Sequence, residues 1–124
     1  PDTLHYIVVR ARDISGNQDS NTVEGITATL ADTTTPTFDG IATAMGSSAT
    51  SITVTWNAAS DDVDSPAEIR YYVYRASLGN AINYDTAIAL TSPGVTQMTV
   101  SNMGPEEDYT FAVRAVDSAD NVDG

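Results

Sequence analysis

The sequence predicts an all-β chain, and three observations carry that prediction. Apolar residues alternate with polar ones in run after run, and no long stretch has the period of a helix. Thr, Ser, Val and Ala are abundant, and Gly, Pro, Asn and Asp punctuate the runs. The two ends of the chain also repeat each other. Met103–Gly124 reads MGPEEDYTFAVRAVDSADNVDG, with Tyr109, Phe111, Val113 and Ala115 at alternate positions, and an Asp-rich loop follows. The opening stretch, PDTLHYIVVRARDISGNQDS, matches it without a gap when Arg10 is laid over Arg114, an offset of 104 residues. Pro1 then meets Pro105, Ile7 meets Phe111, Val9 meets Val113 and Ala11 meets Ala115. Asp13, Asn17 and Asp19 meet Asp117, Asn121 and Asp123. A repeat in such register predicts one period of a tandem array plus a short overlap.

Taken in order, residues 4–12 place Ile7, Val9 and Ala11 on one side, which reads as a strand. Asp13 to Ser20 is a polar turn centred on Gly16-Asn17, a strong hairpin signal. Val23 to Leu30 returns as its partner, and Gly25 interrupts the alternation as at a bulge. Residues 1–31 thus read as the closing hairpin of a preceding domain, marginal if alone. Residues 32–36 form a linker stiffened by β-branched threonines and by Pro36, which holds Thr35 extended. A full set of strands is expected over 37–124. Phe38 to Ala44 reads as the first, with Met45 to Ala49 as a turn. Thr50 to Trp56 turns Ile52, Val54 and Trp56 inward, and Asn57 to Glu68 is a long acidic loop. Ile69 to Arg75 turns Ile69, Tyr71 and Val73 inward and leaves Tyr72 and Tyr74 half-exposed on the opposite face. A short edge strand is expected within Ala87 to Leu90, ahead of a Ser92-Pro93-Gly94 turn. Met98 and Val100 mark the next strand, and Tyr109 to Val116 the last.

Composition narrows the function classes. A chain of 124 residues has room for one ordinary domain and part of another, and 41% hydrophobic residues suffice for a packed core. Cysteine is absent, so disulfides and thiolate sites are excluded and the redox compartment stays open. Five basic residues face seventeen carboxylates, for a net charge of −12, which disfavours nucleic acid and anionic membranes and favours solubility, high salt or divalent cations. No apolar run reaches membrane-spanning length, so membrane insertion is not expected.

The strand with Trp56, the Tyr71-x-Val73 strand and the segment Met103-x-Pro105-x-Glu107-x-Tyr109 together resemble a fibronectin type III module. In that family a Leu-x-Pro-x-Thr-x-Tyr segment makes a tyrosine corner before strand F. Here Met stands for Leu and Glu for Thr, and the first copy has His5 at the tyrosine position. The resemblance implies an immunoglobulin-like sandwich, with residues 36–117 as strands A to F and 1–31 as strands F and G of the preceding module. DTTTPTFDG, WNAASDD and VRARDISGNQDSNT are most similar to bacterial, secreted members. The family has no shared catalytic activity.

In that arrangement the second module has no strand G of its own. Strands of about eight residues span roughly 25 Å at about 3.3 Å per residue. The linker reaches at most about 17 Å at about 3.5 Å per residue, so Val23 to Leu30 is not expected to fold back as the missing strand. The strand is expected from a neighbouring repeat of the same polypeptide or from a neighbouring copy by strand donation.

The strongest chemistry is acidic. The resemblance implies that the B–C and F–G loops and the linker share one pole. That gathers Asp61, Asp62 and Asp64 with Asp117, Asp120, Asn121 and Asp123, and places Asp32 alongside. Carboxylates, an amide and backbone carbonyls are the hard oxygen ligands that Ca²⁺ takes in sets of roughly six to eight. Asp13, Asn17 and Asp19 suggest an equivalent calcium site in the preceding copy. Asp and Asn are also favoured in turns for the bonds they make to their own backbone, and both readings stand at this point.

The remaining constellations point away from catalysis. His5 is the single histidine and sits in a strand, so neither a zinc site nor a Ser-His-Asp triad has support. Glu106-Glu107 lies in a solvated corner without a cleft for glycoside hydrolysis. Tyr72, Tyr74 and Tyr84 fit either a sugar-stacking strip or ordinary cross-strand packing. No Arg-Gly-Asp tripeptide occurs. The expected function is therefore a non-catalytic structural spacer of an extracellular or cell-surface tandem-repeat protein, as stalk or fibre. The alternative is a carbohydrate- or adhesion-binding accessory module with a glycan partner.

Overall fold

Eight strands, and no helix among the described residues, make up the computed structural model, which describes residues 3–124. The match of Pro1 to Pro105 lies outside these residues. The chain divides into two compact units, Pro1–Asp32 and Thr33–Gly124.

The first unit is a hairpin. β1 (Leu4–Val8) pairs antiparallel with β2 (Glu24–Ala28), with His5 opposite Thr27 and Ile7 opposite Gly25. All ten residues of the two strands are exposed. The strand expected over residues 4–12 stops at Val8, and pairing resumes only as a bridge between Arg12 and Gln18. Asn21 explains the break. Its Nδ2 donates to the Val9 carbonyl at 2.9 Å, and its own carbonyl accepts from Arg10 Nε at 3.0 Å. A side chain thus occupies positions that a ladder would use.

The second unit is the expected immunoglobulin-like sandwich. One sheet has the order β3-β4-β7, from β3 (Ile41–Ser48), β4 (Ser51–Trp56) and β7 (Gln97–Val100). The other has the order β6-β5-β8, from β6 (Ala89–Leu90), β5 (Arg70–Ser77) and β8 (Tyr109–Val116). All pairings are antiparallel. Alternation puts Val54 and Trp56 of one sheet against Tyr71, Val73, Val113 and Ala115 of the other, with Ile69 and Ala59 beside them. Each of the larger side chains contributes about 1.5–3 kcal/mol by leaving water. Polar ends inside this core are paired. The Ala59 N–H donates to the Tyr71 hydroxyl at 2.8 Å, and Trp56 Nε1 donates to the Val95 carbonyl at 3.1 Å.

Two expectations are corrected here. The first strand of the unit does not end at Ala44. It starts at Ile41 rather than Phe38 and runs on through Met45, Gly46, Ser47 and Ser48, and the turn falls at Ala49-Thr50. Register shifts fall between Ile41 and Thr43 and between Gly46 and Ser48, so β3 is an irregular, exposed edge strand whose sequence carries little alternation. Tyr74 is not half-exposed but only 4% exposed, because Tyr84 packs edge-on against it with ring centroids 5.1 Å apart. The Ser92-Pro93-Gly94 turn is present. Gly94 has φ +73°, and a Cβ there would meet the Ala67 backbone at 3.2 Å, so both torsion and space require glycine.

Candidate functional site

The loop after β8 is built by its own acidic residues, and the first unit contains the same device. Asp117 Oδ1 accepts the N–H groups of Ala119 and Asn121, each at 2.8 Å, while Oδ2 accepts Asn121 Nδ2 at 2.8 Å. The Asp117 N–H donates to the Asn121 carbonyl at 3.2 Å. In the first unit, Asp13 Oδ1 accepts the Asn17 N–H at 2.9 Å, and Oδ2 accepts Asn17 Nδ2 at 2.8 Å. The Asp13 N–H donates to the Asn17 carbonyl at 2.9 Å. Asp19 and Asp123 then accept from the N–H groups of Ala11 and Ala115, and each returns its own N–H to the same residue's carbonyl. Bridges Arg12–Gln18 and Val116–Val122 close the two turns at equivalent positions. The sequence repeat is a repeat of hydrogen bonds.

Environment separates these carboxylates. Asp13 is exposed, and the Asn17 side chain, followed by the Asn17 N–H, holds its carboxyl below the usual range. Asp123 is half-buried, and desolvation pushes its carboxyl up against the opposing influence of the Ala115 N–H and Arg114. Asp120 occupies the place of Gly16 in the repeat and shares its left-handed backbone, φ +65° against +88°. Its side chain is 82% exposed and lies 3.5 Å from Arg70.

The loop between β4 and β5 supplies the second acidic group. Asp61 Oδ2 caps the turn by accepting the N–H groups of Val63 at 2.9 Å and Asp64 at 3.0 Å. Its Oδ1 is buried and accepts no hydrogen bond. Asp64 is 8% exposed and joins the two loops, its oxygens accepting the Ser118 N–H and the Ser118 hydroxyl, the latter at 2.8 Å. Asp62 is exposed and accepts the Thr34 hydroxyl at 3.3 Å. Thr37 and Ser60 exchange both backbone bonds, at 2.8 and 3.1 Å, which fastens the start of this unit to the same loop.

The loops therefore converge. An oxygen of Asp61 lies within 4.8 Å of one of Asp117, whose side chain is fully buried. The other residues of the acidic set have separate engagements: Asp64 with Ser118, Asp120 with Arg70, Asn121 with Asp117, Asp123 with Ala115 and Asp62 with Thr34. Asp32 is half-buried and closes the first unit. Ser118 escapes sequence reasoning, because its counterpart in the repeat is Ile14 and no spacing links it to Asp64. Thr34 gave no signal either.

On the outer face of β5, Tyr72, Tyr74 and Tyr84 line a shallow recess with Arg114. The rings are mutually tilted, by 43° between Tyr72 and Tyr74 and by 66° between Tyr74 and Tyr84. The Arg114 guanidinium lies 4.4 Å from the centre of the Tyr84 ring. The tyrosine corner is formed at the far end of β8. The Tyr109 hydroxyl accepts the Gly104 N–H at 2.9 Å and donates to Glu107 Oε2 at 2.6 Å, above buried Met103. Glu107 is thereby a structural acceptor.

The family model for the fibronectin type III domain matches residues 35–121. The chain is 34% identical to exoglucanase B of Cellulomonas fimi, 31% to chitinase A1 of Niallia circulans and 32% to endoglucanase B of Cellulomonas fimi. These matches cover 97%, 97% and 98% of the chain but only 10%, 16% and 11% of the respective relatives.

Proposed function

The chain belongs to the fibronectin type III family, and from that premise we propose that it is a non-catalytic spacer module of a secreted or cell-surface protein built of tandem repeats. One observation carries this reading. The likeness to each relative spans nearly the whole chain, so it runs through the hairpin unit, the linker and the sandwich in one order. The relatives named as exoglucanase, chitinase and endoglucanase favour an extracellular setting, and the matched part is a small share of each. The single histidine is exposed on a hairpin, and Glu107 is engaged by the tyrosine corner, which supports a role without catalysis. Its partners on this reading are the neighbouring repeats, with neither nucleic acid nor membrane insertion.

The same proposal includes calcium at the acidic pole. Asp61 Oδ1, buried and without a donor, and Asp117 beside it are the anchors. A divalent cation would offset the repulsion between two carboxylates held in a low-dielectric setting. Thr34, at the start of the second unit, donates its hydroxyl to Asp62 beside them. An ion held there would stiffen the segment that enters this unit, which Thr34 and Thr37 fasten to the same loop.

A second reading, a carbohydrate-binding accessory module, is favoured by the Tyr72, Tyr84 and Arg114 recess and by the polysaccharide-degrading names of the relatives. The tilted rings and the guanidinium against Tyr84 argue that no flat stacking platform is offered. Depletion assays with insoluble cellulose and chitin separate the two. The spacer reading expects no saturable binding by the chain. Saturable binding that disappears in Tyr84→Ala would replace it with the accessory reading.

A further inference from the structure

An aspartate followed by glycine or serine is the one whose carboxyl carbon is most easily reached by the next main-chain nitrogen. The chain has five such peptides, Asp19-Ser20, Asp39-Gly40, Asp64-Ser65, Asp117-Ser118 and Asp123-Gly124. All but one of their carboxylates are held by the fold. Asp19 accepts the N–H groups of Ala11 and Asn21, and Asp64 accepts the N–H and hydroxyl of Ser118. Asp117 accepts the N–H groups of Ala119 and Asn121, and Asp123 accepts that of Ala115. Each must break these bonds before its carboxyl carbon can turn onto the next nitrogen.

Asp39 is the exception. Its side chain is exposed, and among the described residues it has neither a hydrogen bond nor an ion pair. The N–H of Gly40 has no hydrogen bond there either. Gly40 has φ +81°, and a Cβ at this position would find nothing within 4 Å, so the nitrogen is approached through open space. The flanks, by contrast, are fixed. The Phe38 ring packs on the core with its centre 5.3 Å from that of Tyr71, and Ile41 packs there while pairing with Trp56. The Asp39-Gly40 peptide is thus an unheld span between two anchored residues, at the entry to β3.

We propose that Asp39-Gly40 is a modification site at which the folded chain converts to an isoaspartyl form, and that the fold protects the other peptides of this kind. In the first step the Gly40 nitrogen bonds to Asp39 Cγ, and the carboxyl hydroxyl leaves with the amide proton as water. Water then opens the five-membered succinimide. Opening at Cγ restores aspartate, whereas opening at the main-chain carbonyl routes the main chain through Cβ and Cγ. Only water enters and leaves, nothing is oxidised or reduced, and the mass is unchanged. The product carries its α-carboxylate as a side group, the chemical class on which isoaspartyl methyltransferases act. It also adds one carbon to the main chain between Phe38 and Ile41.

The test incubates the full chain for several weeks at physiological temperature in mildly acidic buffer. EDTA is present, so the outcome is independent of the calcium reading. Peptide mapping with electron-transfer fragmentation separates aspartate from isoaspartate at each position. A hydrogen bond to a charged acceptor that must first break slows a step by about tenfold or more, so Asp39 should lead each of the others by at least about that factor. Labelled methyl groups transferred by an isoaspartyl methyltransferase should rise in parallel. They should fall to background in Asp39→Glu, whose longer side chain would have to close a six-membered ring. In guanidinium chloride the lead of Asp39 should shrink, because the protecting bonds are gone. An Asp39 that stays unmodified overturns the proposal, as does a held aspartate that keeps pace with it or a lead that persists undiminished in the denaturant.

Discussion

The residues that matter most in the second unit are those whose polar atoms are paired inside it. Tyr71 is fully buried, and its hydroxyl accepts the Ala59 N–H. Tyr71→Phe preserves the ring but strands that N–H, so it should cost about 1–3 kcal/mol in chemical unfolding. Asp120 offers the opposite case. It holds a left-handed backbone that the first unit gives to Gly16, and its exposed pair with Arg70 contributes little. Asp120→Gly should therefore be neutral or stabilising by up to about 1 kcal/mol, as read from denaturant midpoints. The carboxylates should also titrate apart. Asp13, held down by Asn17, supports its turn above the unfolded pKa and loses that support as pH falls through its lower folded value. Asp123, pushed up by desolvation, binds its proton more readily when folded. Its contribution to stability grows as pH falls through its raised folded value toward the unfolded one. Carboxyl shifts followed by NMR should place Asp13 below 3.8 and Asp123 above it, and the reverse order would contradict the environments described.

Among the elements, the two acidic loops are joined through Asp64 and Ser118. Asp64→Ala leaves the Ser118 N–H and hydroxyl without their acceptor and should cost about 1–3 kcal/mol. Asp62→Ala, on an exposed residue bonded at 3.3 Å, should stay within about 0.5 kcal/mol. The strands that were legible in the sequence are those with one buried face: Val54 and Trp56 on β4, Tyr71 and Val73 on β5, and Val113 and Ala115 on β8 alternate with more exposed neighbours. β3 was misplaced because an exposed, irregular edge strand has no inward pattern to read, and its Gly46 and serines imitate a turn. The burial of Tyr74 depends on Tyr84 across the chain, a contact that no local period encodes. The acidic loops were legible as a repeat of Asp and Asn at fixed offsets. The division of labour within them was not, because it depends on Ser118 and on which oxygen of Asp61 has a donor.

For the molecule as a whole, the central claim is a module whose role is spacing, with calcium at the acidic pole restraining the linker. The net charge of −12 makes the claim sensitive to ions, so monovalent salt must be held fixed in its test. Calcium titration of the full chain, followed by thermal unfolding and small-angle scattering and then reversed with EDTA, tests it most directly. A hundredfold excess over the dissociation constant should stabilise the folded chain by about 2.7 kcal/mol. The melting temperature should rise, the scattering should report a stiffer particle, and Asp61→Asn and Asp117→Asn should each abolish both effects. Identical melting and scattering with calcium and with EDTA would contradict the claim, leaving the acidic pole as turn chemistry and the linker stiffened by Thr33–Pro36 alone.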